Sequence, residues 1–251
     1  MQQDKEEERF QKRIKELSRK ASATYTNYYT DFLNLNEINL VYQMQKELES
    51  SFILFGGNDF AERKMVCFCG DENEEPMFPI SCIHIFPVNQ KFGEELSHRD
   101  ILGAILNLGL ERSKIGDIYV QEKEAYLFCT EKITPFLLEN LLRIRHNSIC
   151  TEYSEQYEKV FTPKVLRING TVSSIRLDSI IALAFSTSRN SMTSCIESGK
   201  VYVNGKQVLS NRYPIKEQDI ISVRGLGKAR FLEAGQETRK GRIRVVIEKF
   251  I

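Results

Sequence analysis

Apolar residues return at intervals of 4, 3 and 4 through Phe10, Ile14, Leu17 and Ala21, with charged residues between them. That spacing lays one apolar stripe along a helix and predicts helix over residues 5–21. Ile38, Val41, Tyr42 and Leu48 predict a second helix over 36–48. The period then changes. "FILFGG" and "KMVCFC" are short apolar runs rich in aromatic and branched residues, read as strands joined by a polar loop. "GDENEEP" at 70–76 is an acidic loop.

From residue 80 the patterns alternate in a fixed order. "ISCIHIFPV" (80–88) is a strand. "SHRDILGAILNLGL" (97–110) is a helix, with Ser97 as N-cap and Asp100 three residues on, a short capping box. "DIYVQ" and "AYLFCT" are strands joined by a turn around "EKE". "TPFLLENLLRI" is a helix with Pro135 in its first turn, and "SICTEYS" is a strand. The order β-α-β-β-α-β is the ferredoxin-like arrangement. RNA recognition motifs share it, as do many unrelated proteins, and the aromatic RNP1 consensus is absent. The arrangement alone therefore leaves RNA binding by this unit open.

"YSEQYEKVFTPKV" (153–165) is a polar connection and the expected domain boundary. Beyond it, Ser173 or Ser174 is expected to cap a helix starting near Arg176, with Leu177, Ile180, Ile181 and Ala184 on its inner face. Ser188 caps the next helix, whose inner face is Met192, Cys195 and Ile196, and Gly199 ends it. "VYVNGKQV" is a hairpin turning at Asn204-Gly205. "DIISV" (219–223), "RFLEAG" and "RIRVVIEKF" are further strands. The expected fold class is α+β. It comprises an N-terminal helical and β-hairpin region (1–79), a ferredoxin-like, RRM-like unit (80–155) and a small C-terminal domain (163–251).

Length and composition are those of an ordinary globular chain: 251 residues, 41% apolar and 27% charged. No stretch of 18 continuous apolar residues is present, so no membrane insertion is expected. The charged N-terminus lacks a signal-peptide core, which predicts a cytoplasmic location. Six cysteines lie scattered, mostly in apolar runs, and are expected to be reduced and buried. The formal net charge of +1 hides a division. From Pro163 onward the chain has 16 Lys+Arg against 7 Asp+Glu, and the remainder has 19 against 27. A basic C-terminal third on an acidic body predicts a polyanion as partner of the former.

The positions of the basic residues narrow this to phosphate. Helix N-termini offer free N–H groups and partial positive charge, and Arg176 and Arg189 stand at two of them. Guanidinium forks bind phosphate oxygens in pairs. Ser188 is a cap first and a phosphate ligand second. Lys200 and Lys206 flank the hairpin. Arg224, Lys228 and Arg230 surround two glycines in "RGLGKAR", and no helix follows to make a dinucleotide loop. Helix ends, hairpin tip and loop are expected to converge on one basic concave face.

"RLDSIIALAF", "SRNSMTSCIESGKVYVNGKQV" and "YPIKEQDIISVRG" resemble the S-four-type (S4) RNA-binding domain. The family's usual Ala near the middle of the second helix is here Met192 or a neighbour, a packing difference. Together with "LSHRDILGAILNLGLERSKIGDIYV", nearly the whole chain resembles the YlmH family of Firmicutes. The resemblance implies a cytoplasmic RNA-binding factor that engages rRNA or tRNA on the large ribosomal subunit. It implies work in quality control of stalled peptidyl-tRNA, and cell-division proteins as further partners. It also points to His98 and Arg99 as a secondary contact.

No catalytic group, cofactor or metal is expected. His98-Arg99-Asp100 opens a helix and has no nucleophile paired with it. Cys67-x-Cys69 and Cys82-x-His84 do not have zinc-knuckle spacing. Two other readings stay open. One is an RNA-modifying enzyme with an appended RNA-binding domain, though no catalytic Asp motif or cofactor loop stands upstream. The other is a cell-division interaction protein using the acidic body.

Overall fold

The computed structural model describes residues 2–91, 93–155 and 164–250, with side chains from residue 5 onward. It divides the chain into two compact units, residues 1–161 and 162–251. Most of the connection expected over 153–165 lies outside the described residues.

In the first unit, helix α1 (Gln2–Thr24) buries Ile14 and Ala21 against Ile38, Val41, Val66 and Phe68, which is why its apolar stripe recurs every three or four residues. Helix α2 (Leu35–Gln43) starts at Asn34, whose side chain accepts from the amides of Asn36 and Glu37 while Glu37 accepts from the Asn34 amide. It is shorter than expected: Gln45–Glu47 form a 3-10 turn and Leu48 is extended. Strands β1 (Tyr28–Tyr29), β2 (Phe52–Phe55) and β3 (Met65–Phe68) form a sheet in the order β1-β3-β2.

Next come β4 (Ile80–Pro87), α3 (His98–Asn107), β5 (Ile115–Gln121), β6 (Glu124–Thr130), α4 (Thr134–Asn140), β7 (Arg143–Ile144) and β8 (Asn147–Tyr153). The sheet order is β5-β6-β4-β8-β7 with antiparallel neighbours, the ferredoxin-like topology. Ile83, Ile85, Leu127 and Cys129 share a core with Ile101, Ile105 and Leu137 of the helices. On the sheet's other face, Cys82 and Phe128 pack with Phe32 and Met65. Helix α4 ends four residues before the expected Ile144. Ile144, fully buried, belongs instead to a tight hairpin with Asn147, turned through the left-handed Arg145 (φ 54°).

The second unit contains β9 (Val165–Val172), α5 (Leu177–Ala184), α6 (Arg189–Glu197), β10 (Val201–Val203), β11 (Lys206–Gln207), β12 (Ile220–Val223), β13 (Gly227–Glu237) and β14 (Ile243–Phe250). They form one six-stranded sheet, β11-β10-β12-β13-β14-β9. The two helices cover one face: Leu177, Ile180, Ile181, Ala184, Met192 and Ile196 share a core with alternate residues of the strands. Asn204 and Gly205 are both left-handed (φ 50° and 84°), as a two-residue hairpin turn requires.

Candidate nucleic-acid interface

The start of α5 is built differently from the sequence expectation. Neither Ser173 nor Ser174 caps it. Arg176 is the N-cap residue, extended and bridged to Pro214, and its side chain makes no capping bond. The charge of the first turn is set by Asp178, whose side chain is 3% exposed. Arg189 Nη2 donates to Asp178 Oδ2 at 2.7 Å, Arg176 Nη2 donates to the same oxygen at 3.3 Å, and Arg176 Nε lies 3.2 Å from Oδ1. Ser179 Oγ adds a longer bond of 3.4 Å. One buried carboxylate thus gathers the arginines from two helix starts, which are 33% and 49% exposed. Two guanidiniums and one carboxylate leave a net positive cluster whose forks are held in place. Ser188 caps α6 as expected, accepting from the Ser191 amide at 3.1 Å.

The other basic residues do not all join this cluster. The Arg224 amide donates to the Lys200 carbonyl at 2.9 Å, which brings the turn after α6 beside the 224–227 loop. Lys206 is exposed at the hairpin end, opposite Val203. Lys228 and Arg230 depart from the single concave face expected from sequence. Ala229 and Phe231 enter the helix-covered core, so the alternation of β13 turns Lys228 and Arg230 to the opposite side of the sheet. Arg224 goes with them, since its guanidinium lies 5.2 Å over the ring of Tyr202, on that same side. The basic residues therefore present two faces.

In the first unit, His98 and Arg99 are exposed at the start of α3. Partial desolvation and the Arg112 guanidinium lower the pKa of His98, favouring neutral imidazole. Asp100 is committed to the helix cap: it accepts from the Ser97 hydroxyl at 2.6 Å and amide at 3.0 Å, bonds that lower its pKa. Arg112 donates to the Ile115 and Gly116 carbonyls, and Asp117 accepts from the Glu62 and Arg63 amides, so these residues serve the fold.

A further cluster has no counterpart in the sequence reading. On the face of the sheet away from α3 and α4, His84 stacks on Tyr126 with ring centroids 4.6 Å apart and planes 9° apart, and Phe86 lies 4.8 Å from His84. β4 and β6 are the two central strands, where RNA recognition motifs carry base-stacking rings. The signal was spread over two strands and included a histidine, so no RNP1 string reveals it. Here Glu124 and Glu152 flank the histidine at 2.9 and 3.1 Å, an environment hostile to phosphate. Cys67, Cys69, Cys82 and Cys129 are buried, Cys195 is half-buried and Cys150 is exposed. Among the described residues no group of three or more His, Cys, Asp or Glu side chains could hold a metal ion, and no helix is long and apolar enough to cross a membrane.

Residues 74–158 match the model of a putative RNA-binding domain in YlmH, and residues 175–221 match the S4 domain. The chain is similar to ribosome-associated protein quality control protein P2 of Bacillus subtilis, with 28% identity over 248 residues, 98% of this chain and 96% of the relative. Among solved structures it is similar to cell division protein ylmH from Streptococcus pneumoniae, with 25% identity and a TM-score of 0.50, covering 61% of this chain and 94% of that one. The chain thus carries a segment matching the RNA-binding domain of YlmH followed by an S4 domain, and it resembles the B. subtilis relative along nearly its whole length.

Proposed function

We propose that this protein binds RNA through its C-terminal unit and acts on the large ribosomal subunit, at rRNA or tRNA, in the quality control of stalled peptidyl-tRNA. The observation that carries RNA binding is the arginine pair held on buried Asp178 at two helix starts of the S4 domain. Preformed guanidinium forks at helix starts suit phosphate, and their ordering cost is met within the fold. The ribosomal setting is supported by the B. subtilis relative, whose name places it with the ribosome. Arg176, Ser188, Arg189 and Lys200 form the proposed primary contact, with Lys206 at its edge. His98 and Arg99 are a secondary one.

The test is sedimentation with ribosomal subunits, followed by crosslinking and sequencing of the bound RNA. The protein is expected with large subunits and crosslinked to rRNA or tRNA. Absence from both fractions would refute the proposal. Arg189→Lys is expected to weaken binding partly, because lysine keeps the charge and loses the fork. Arg189→Gln is expected to weaken it more. Replacement by Glu is the poorer test, since it would set a second carboxylate against the buried Asp178 and disturb the fold. The name of the S. pneumoniae protein favours a second reading, a protein partner in cell division. A pull-down with and without nuclease separates the two: partners that survive nuclease are bound through protein.

A further inference from the structure

Most of the basic excess of the C-terminal unit lies outside the segment that matches the S4 domain. Residues 175–221 hold 6 of the 16 Lys+Arg and 4 of the 7 Asp+Glu; the flanking strands and loops of the unit hold the other 10 and 3. Strands β9, β13 and β14 lie in those flanks and form half of the six-stranded sheet.

Register and alternation show where these charges go. Ile168, Phe231, Val245 and Ile247 belong to, or pack against, the core beneath the helices. Their neighbours Arg167, Arg230 and Arg244 therefore leave the sheet on its other face. Arg230 pairs with Glu248, and Glu248 with Arg167, so one carboxylate sits between two arginines in a row across three strands. Arg244 stands opposite Thr171 on the same face. Lys228 is level with Ser222, and Arg224 covers Tyr202 at the sheet's far end. Arg230 lies 5.8 Å over the ring of Phe250. Arg167 and Arg244 are exposed. Five cations face two anions, Glu248 and the exposed Glu233 opposite Val246, over several strands, with two of the guanidiniums laid on aromatic rings.

We infer that this helix-free face of the sheet is a second RNA-binding surface, which grips the phosphate backbone independently of sequence. The inference rests on the RNA-binding reading above and extends it to a surface the S4 match does not include. A broad, predominantly positive face favours a polyanion, and arginine on a rigid sheet suits phosphate oxygens. Two faces on opposite sides of one thin domain would let it bridge two RNA segments. The helix-start cluster would set position and the sheet would add affinity.

The experiment compares four full-length proteins binding ribosomal RNA at several salt concentrations, each with a thermal melt. They are the wild type, Arg167→Gln/Arg244→Gln, Glu248→Gln and Arg189→Gln. If the sheet face holds RNA, the double variant binds more weakly at an unchanged melting temperature. Its slope of log K against log salt flattens by about 0.7–0.9 for each phosphate the face no longer holds. Glu248→Gln, which removes the carboxylate between two arginines, binds more tightly. Affinity and slope like wild type in both sheet variants, while Arg189→Gln weakens binding, would overturn this inference and leave the helix-start reading standing. A wild-type protein that binds no RNA would defeat both. Loss of binding to an acidic protein partner with RNA binding intact would also overturn the inference and assign the face to that partner.

Discussion

Asp178 ties the two arginines to the fold, and its role runs against simple charge counting. A carboxylate at a phosphate site should repel RNA. If repulsion were its main effect, Asp178→Asn would tighten binding. The geometry says otherwise, because Oδ2 accepts from both guanidiniums and the side chain is buried. Asp178→Asn is therefore expected to weaken RNA binding although the protein becomes more positive. The salt slope should stay the same or steepen, since no phosphate-facing cation is removed. Asp178→Ala should also cost about 1–3 kcal/mol of stability, because buried donors lose their acceptor. Titrations and melts on the two variants check this, and tighter binding by Asp178→Asn would refute it. The sequence motif announced Arg-Leu-Asp as a unit, but helical spacing cannot show that residue 178 reaches an arginine 11 positions away. That pairing depends on how the two helices pack.

At the level of elements, periodicity located most of the helices and strands. Strand β9 went unseen because "VLRINGTV" carries Asn169-Gly170, the dipeptide that marks a true turn at Asn204-Gly205. Here Gly170 is mid-strand for a tertiary reason. A Cβ built on it would lie 2.5 Å from Leu183 Cδ2 of α5, so the glycine makes room for the helix. Gly170→Ala should destabilise the second unit by about 1 kcal/mol, the low end for overpacking, because half-buried Leu183 has room to turn. Adding Leu183→Ala should remove most of the strain Gly170→Ala introduces, a coupling visible in a double-mutant cycle. Additive losses would mean that the glycine serves the backbone instead.

The cysteines of the strands were legible as buried thiols, and they give the first unit a pH signature. Burial pushes Cys67 and Cys82 up to about 12 and Cys129 to about 11, from an ordinary value of about 8.5. The folded state then holds protons that the unfolded chain releases first. The stability these thiols contribute is present below about pH 8.5 and declines as pH rises toward 11–12. The melting temperature of the first unit should fall between pH 8 and pH 10. In the folded protein, iodoacetamide at pH 8 should modify exposed Cys150 first and Cys195 next, leaving Cys67, Cys82 and Cys129 until denaturant is added. Rapid labelling of Cys82 under native conditions would contradict this packing.

For the molecule as a whole, the charge division in the sequence coincides with the structural one: the basic excess lies in a unit with its own sheet, helices and core. What composition could not reveal was its distribution over two faces, which depends on the pleat of β13 and β14. We propose that residues 162–251 fold alone and carry the RNA affinity. The isolated unit should bind RNA at least as tightly as the full chain at low salt, because the acidic body that opposes a polyanion is gone. Its affinity should fall steeply with salt. Residues 1–161 should bind RNA weakly under the same conditions, since Glu124 and Glu152 crowd the stacked rings of His84 and Tyr126. RNA recovered from either mixture should be chemically unchanged by mass spectrometry. Affinity residing mainly in residues 1–161 would overturn this division of labour. With a shallow salt slope, it would identify the His84–Tyr126 face as a base-stacking surface, because stacking survives salt that screens phosphate contacts.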